Sequence, residues 1–169
     1  MSAPDIPPPE AGIPTRAAEP PADPRGVRFN AAVTTAVLAL VLLSGSGRLI
    51  AAQAVVFALG AFAGLRFSPY GALFRALVAP RLGPPTESEE AAPVRFSQTV
   101  GFVFAVVAAA GYLTGLTTLG VIATAFALAA AFLNAAFGFC LGCEMYALIV
   151  RFRSRFGSGN PHTEQGATA

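Results

Sequence analysis

Four long apolar stretches, separated by polar residues, dominate the middle of the chain. A membrane-spanning helix needs about 20 mostly apolar residues, within a range of about 17 to 25. Because lipid cannot satisfy the hydrogen-bonding groups of a bare backbone, such segments cross a bilayer as helices. The pattern therefore predicts an all-α membrane protein with four transmembrane helices, at about residues 29–47, 48–66, 96–114 and 116–138.

The connections between these spans differ in length. "SGSG" and "TGLTT" are tight and predict antiparallel hairpins, whereas a long segment separates the two hairpins. A short amphipathic stretch follows each hairpin, at about 69–79 and 141–156. Ser68 is a preferred helix-capping residue and Pro69 suits the first helical position, so the first stretch is predicted to begin there. Both stretches are expected to lie at the membrane interface as helices.

The two halves of the chain resemble each other. "VRFNAAV" at 27–33 matches "VRFSQTV" at 94–100, and "GALFRALV" at 71–78 matches "GCEMYALIV" at 142–150 with a small shift. Because each unit crosses the membrane twice, the two copies would be parallel and related by an axis along the membrane normal. The sequence thus predicts two parallel hairpin repeats, each followed by a short interfacial helix.

The amino-acid composition also supports a membrane protein. The 169 residues are 54% hydrophobic and 12% charged, against about 25% charged in a typical soluble domain. A soluble core of this size cannot bury so many apolar side chains. The net charge of +2 gives no sign of nucleic-acid binding.

The two ends of the chain differ from its middle. Residues 1–24 are rich in Pro and Ala and lack the pattern of a signal peptide, so we expect a disordered tail there. We expect the same of residues 157–169, which include His162 as a solvated side chain. The membrane domain is predicted to occupy residues 25–156.

The distribution of arginine predicts the orientation. All eleven basic residues are arginines, and only Arg48 lies in one of the two tight turns. The other ten flank the hairpins or lie between them. Because positive residues accumulate on the cytoplasmic side, the sequence predicts a multi-pass protein of the plasma (inner) membrane with both termini in the cytoplasm.

The stretch "FGFCLGCEMY" holds the only two cysteines, Cys140 and Cys143. One straight helix over 116–155 would be about 60 Å long, twice the hydrocarbon thickness, so the chain must bend. Gly138 and Gly142 mark the expected bend. Cys140 then stands at the amino end of the next helix, where the helix dipole and free amides lower the pKa of a thiol. The spacing also allows the two sulfurs to bond.

Three interpretations of this cysteine pair remain open from the residues. The first is redox or persulfide chemistry at a reactive dithiol. The second is metal binding, in which two chains of a homo-oligomer supply four cysteines to zinc or one pair holds Cu(I). The third is packing, with two small, soft side chains in an apolar wall. No cofactor is identified from the residues.

Three other polar side chains are candidates for a role. Glu144 is either a proton acceptor for a neighbouring thiol or an interfacial carboxylate that pairs with Arg75, Arg151 or a lipid head group. Asn134 and Gln53 are amides within predicted spans, where such groups usually join helices through hydrogen bonds. Asn134 lies close to the cysteines in sequence, which makes it a candidate to orient a substrate.

The strings "NAAFGFCLGCEMY", "AAQAVVFALGA", "SPYGALFRALV" and "PRLGPPTE" carry a resemblance to a family. Over residues 24–151 the chain resembles the bacterial, mostly actinobacterial, membrane family known as domain of unknown function 4395, with its FCLGCE motif. The resemblance implies a four-helix membrane protein. It also implies sulfur or thiol chemistry with a thioredoxin-like or rhodanese-like sulfurtransferase partner, and it assigns no reaction.

The leading functional hypothesis is a membrane dithiol protein that exchanges disulfides or sulfane sulfur with a cytoplasmic partner. Cys140 would be the attacking thiolate and Cys143 the resolving one. One alternative is a small transporter component for a sulfur species or soft metal ion, with a path lined by Gln53, Asn134 and the thiols. Another is a non-catalytic membrane anchor for a soluble partner. The residues leave open whether the protein is an enzyme.

Overall fold

A computed structural model describes residues 21–83, 85 and 88–157, and most of these residues are helical. Most of the two predicted tails, with His162, lies outside the described residues. The helices are α1 (Pro24–Ser44), α2 (Gly47–Ala58), α3 (Pro69–Leu77), α4 (Ala79–Leu82), α5 (Ala91–Leu113), α6 (Thr117–Phe137) and α7 (Leu141–Gly157). A wide helical turn, Leu59–Ala63, extends α2, and a 3-10 turn, Leu65–Phe67, leads into α3. No strand occurs within the described ranges, so the all-α prediction is confirmed for them.

Three of the described helices, α1, α5 and α6, are long and apolar enough to cross a membrane, with 21, 23 and 21 residues. The remaining predicted span, at about 48–66, corresponds to α2 with its extension, Gly47–Ala63, which is apolar but shorter. Large apolar side chains cover the outside of these helices, among them Leu43 at 85% exposure and Phe126 at 64%. Such a surface is compatible with a lipid bilayer.

The helices pack in a closed arrangement around small residues. α1 packs against α6, α2 against α5, and α5 against α6, while α3 lies on α1 and α7 lies on α5. Small interface residues let membrane helices approach closely. At Gly111 a side chain would meet the backbone of Gly120 at 2.5 Å. The buried core consists of Leu38, Val41, Ile50, Ala54, Phe57, Ala105, Ala108, Ala109, Ala123 and Ala127.

Capping residues decide where the shorter helices and the first span begin. Asp23 accepts a hydrogen bond from the Arg25 backbone N–H at 2.9 Å, so α1 begins at Pro24, five residues before the apolar stretch. Ser68 accepts a hydrogen bond from the Gly71 N–H at 3.4 Å, and Pro69 occupies the first position of α3, as the sequence predicts.

The predicted bend before α7 lies at Gly138. This residue has a left-handed backbone, with φ 70°, and its N–H donates to the Asn134 carbonyl at 2.9 Å to end α6. The prediction was wrong for Gly142, which lies inside α7 rather than at the bend. A side chain there would approach the Cβ of Ser97 to 2.5 Å, so Gly142 instead permits close packing of α7 on α5.

Candidate functional site

The two cysteines lie at the amino end of α7. Cys140 is the residue before the helix and Cys143 is in its first turn. Their sulfur atoms are in disulfide contact, and their Cα atoms are 5.2 Å apart, inside the range of about 4.4–6.8 Å for disulfides. The backbone N–H of Cys143 donates to Sγ of Cys140 at 3.3 Å. Because this contact and the helix dipole favour negative charge, the arrangement can stabilise Cys140 as a thiolate when the pair is reduced.

Cys140 also lines a cavity of about 270 Å³ between α1, α5, α6 and the start of α7. Most of the wall is apolar, and no charged residue lines it among the described residues. Cys143 does not line the cavity, so the two sulfurs have different surroundings. The cavity therefore combines a mostly apolar wall with several neutral polar side chains and one of the two sulfur atoms. The polar side chains in the wall are Asn30, Thr34, Ser97, Gln98 and Asn134.

Three carboxamides are the strongest polar groups of this wall. Gln98 is buried, with 8% exposure, and Asn134 is partly buried. The Oδ1 atom of Asn30 is buried without a hydrogen-bond partner among the described residues. A buried acceptor without a donor is unfavourable in a folded protein.

The cavity extends along the bundle and borders its outer surface. It reaches from Cys140 to Phe104 and Phe126, which lie near the middle of α5 and α6. Three of its lining residues are exposed on the outside: Leu141 at 38%, Met145 at 46% and Phe126 at 64%. α7 packs mainly on α5 and little on α6. The side of the cavity between α6 and α7 is therefore open toward the surroundings of the apolar helices.

The structure groups only some of the candidate residues. Asn134 and Cys140 share the cavity, whereas Glu144 is exposed and outside its wall. Among the described charged groups, Glu144 forms no ion pair with Arg75 or Arg151.

Gln53 lies away from the cavity. It is 1% exposed, and its Oε1 accepts a hydrogen bond from the Tyr70 hydroxyl at 2.7 Å. Gln53 therefore does not share this cavity with Asn134.

Sequence reasoning missed Asn30 and Gln98. A signal was present in the internal match, because Asn30 follows "VRF" in the first copy as Ser97 does in the second, with Gln98 next to it. Polar residues at equivalent positions of two apolar segments indicate a shared polar site. Which cavity they enter depends on how α1, α5 and α6 meet.

Comparison with known proteins gives a family and no activity. A family model described as domain of unknown function (DUF4395) matches residues 22–151, which include both cysteines and the whole wall of the cavity. No curated protein and no solved structure matches the chain.

Proposed function

This chain belongs to the DUF4395 family, and we propose that it is a membrane dithiol protein that exchanges disulfides or sulfane sulfur with a cytoplasmic partner. The observation that carries the proposal is the sulfur pair at the amino end of α7, with Sγ of Cys140 accepting the N–H of Cys143. A thioredoxin-like or rhodanese-like protein is the proposed partner, since either class presents a reactive sulfur for exchange.

The exchange follows ordinary thiol chemistry. A partner thiolate attacks Sγ of Cys140, a new S–S bond forms, the Cys140–Cys143 bond breaks, and Cys143 leaves as a thiolate. A second partner thiol then attacks the partner's own sulfur and releases Cys140 as a thiolate. The partner is oxidised to a disulfide while the protein is reduced to the dithiol. Read in reverse, Cys140 attacks and Cys143 resolves.

We further propose that the chain crosses the membrane four times. The segment Gly47–Ala63 has 17 residues, or about 25 Å of helix, at the lower end of the spanning range. With four crossings, the arginines flanking the hairpins favour a cytoplasmic position for both termini and for the start of α7. The cytoplasm is reducing, which favours a cycling pair over a permanent disulfide.

Several contacts support two parallel repeats. Phe29 of α1 packs on Phe74 of α3 with ring centroids 5.7 Å apart, and Phe96 of α5 packs on Tyr146 of α7 at the same distance. Ahead of α1 and α5, the backbones of Ala22 and Glu89 exchange hydrogen bonds of 2.8 and 2.9 Å. Such reciprocal contacts are what two-fold-related residues make.

A trapping experiment tests the proposed function. Cys143→Ser leaves Cys140 without its resolving thiol, so we expect a mixed disulfide with the partner that survives acid quenching and is released by dithiothreitol. The matched control, Cys140→Ser, should capture nothing. Equal capture by both variants, or by neither, contradicts the proposal. A non-catalytic anchor would instead recruit its partner unchanged when both cysteines are serine.

A small transporter component for a neutral sulfur species is a second candidate. The observation that favours it is the neutral cavity beside Cys140. Within the described residues there is no group of three or more His, Cys, Asp and Glu side chains that could hold a metal ion. Cysteine-dependent accumulation of a sulfur species in vesicles supports transport, and exchange without accumulation rejects it.

A further inference from the structure

We propose that the cavity beside Cys140 binds the ring of a lipid-soluble quinone, which accepts the electrons of the reduced cysteine pair. The inference rests on the proposed dithiol function and names the electron acceptor of that site. Three features carry it: the neutral wall, the carboxamides in that wall, and the opening toward the surroundings of the apolar helices.

The wall selects a neutral ligand of modest size. No charged residue lines the cavity among those described, and burying an uncompensated charge is costly, so phosphate head groups and free anions do not fit. The volume of about 270 Å³ lies just below the range of about 300–1,000 Å³ for small-molecule sites. A single substituted ring fits this space, and a whole lipid does not.

The carboxamides suit both redox forms of a quinone. A quinone has carbonyl oxygens that accept hydrogen bonds, whereas a hydroquinone has hydroxyls that donate them. Each of Asn30, Gln98 and Asn134 carries an N–H donor and a carbonyl acceptor. Such a group can donate to the quinone and accept from the hydroquinone.

The position of the opening favours a carrier that arrives from the lipid. The cavity borders the outer surface at Leu141, Met145 and Phe126, three exposed apolar side chains between α6 and α7. An isoprenoid tail could leave through this side while the ring stays beside Cys140. An apolar opening of this kind would not favour the binding of a water-soluble acceptor.

The electron transfer balances with the two cysteines and the quinone alone. The Cys140 thiolate adds to the quinone ring and forms a C–S bond. The Cys143 thiolate then attacks Sγ of Cys140, the S–S bond forms, and the C–S bond breaks with its electron pair left on the ring. The ring takes up two protons and becomes hydroquinone, while the two thiolates are oxidised to the disulfide. Cys140 lines the cavity and Cys143 does not, which matches these roles.

The test uses the full-length protein, reduced and reconstituted in quinone-free lipid, with decylubiquinone as the probe. We expect loss of quinone absorbance in step with disulfide formation, one quinone per cysteine pair, and saturation with quinone concentration. Ala130→Phe should slow this oxidation at least about tenfold, because Ala130 lines the cavity and the added ring would fill the space of the quinone ring. Ala125→Phe is the matched control on the exposed side of α6 and should leave the rate unchanged.

The outcomes separate this inference from the function on which it rests. Equal rates for wild type and Ala130→Phe overturn the cavity as the quinone site, provided that dithiothreitol reduces both disulfides equally. A wild type that exchanges with a model disulfide but ignores decylubiquinone overturns the quinone inference and leaves the dithiol function intact. A wild type that reacts with neither overturns both.

Discussion

α3 and α7 begin in the same way and differ in the atom that caps them. The Ser68 hydroxyl accepts the N–H three residues later at 3.4 Å, and Sγ of Cys140 does the same at 3.3 Å. Behind each cap, an aromatic ring of the helix packs on a ring near the start of a long helix, α1 for α3 and α5 for α7. The same local geometry thus serves as a structural cap in one place and holds reactive sulfur in the other.

The surroundings of the two caps differ as well. Ser68 borders a cavity of about 390 Å³ that is also lined by Asp23, Arg66 and Arg75, so charged side chains surround it. Cys140 borders the neutral cavity. The cap therefore determines where a helix begins, and the wall beside it determines which molecules a reactive capping atom can contact.

Exchanging the capping atoms should have the largest effect, and this effect is on the rate of thiol exchange. Cys140→Ser keeps a capping side chain, so α7 should persist, but thiol exchange should fall by at least about 100-fold because a hydroxyl without an activating base is a weak nucleophile. The converse change, Ser68→Cys, should leave exchange at the wild-type rate. Alkylation-coupled gel shifts measure both. Wild-type exchange in Cys140→Ser contradicts the distinction between the caps.

The next largest effect should come from adding a methyl group near each cap, which should destabilise the protein more at α7 than at α3. Gly142→Ala places a Cβ 2.7 Å from the backbone Cα of Ser97, so we expect a loss of about 1–3 kcal/mol in the free energy of unfolding. Gly71→Ala meets nothing closer than 3.4 Å and should change stability by less than about 1 kcal/mol. Denaturant unfolding in mixed micelles provides the comparison. Equal losses in both variants argue against close packing of α7.

Removing one hydroxyl tests the contact that is specific to α3. Tyr70→Phe deprives Oε1 of Gln53 of its donor and should cost about 1 kcal/mol in the free energy of unfolding. Tyr112→Phe is the control, because the Tyr112 hydroxyl is buried without a partner among the described residues, and its removal should be neutral or stabilising. The interpretation of the Gln53–Tyr70 contact fails if Tyr112→Phe is the more damaging change.

The smallest expected effect concerns Glu89, whose backbone forms the bridge to Ala22 between the starts of the two halves. Burial raises the pKa of Glu89 above its ordinary value of 4.5. The folded protein therefore binds this proton more tightly than the unfolded chain. The group's contribution to stability is fully present below the ordinary pKa and is lost as pH rises through the raised pKa. Glu89→Gln should flatten this weak dependence in Tm measured across that pH window, and an unchanged profile excludes Glu89 as its source.

Local signals in the sequence predicted the helix starts and the bend. Ser68 and Pro69 mark the start of α3 because a hydroxyl followed by proline satisfies the first turn without help from elsewhere. Gly138 marks the bend because it adopts a left-handed backbone, which a residue without a side chain does readily. The apolar stretch does not mark the start of α1, which begins five residues earlier, since hydropathy does not register the cap at Asp23.

The cavity could not be predicted in the same way. Its wall joins Asn30 and Gln98 to Cys140, residues on three different elements of the bundle. The role of Gly142 likewise depends on Ser97, which is far from it in sequence. These contacts follow from how the helices pack, and one sequence shows only that polar side chains lie on otherwise apolar helices.

In the proposed function, Cys140 and Cys143 act together as a reversible dithiol. The most direct test is a redox titration in membranes: equilibration over a series of dithiothreitol ratios, acid quenching, and alkylation with a mass-adding maleimide. The account predicts that both cysteines become protected together, in one reversible two-electron transition. Two thiols that stay open to alkylation under every oxidising condition, with the reactivity of ordinary cysteines, would contradict it.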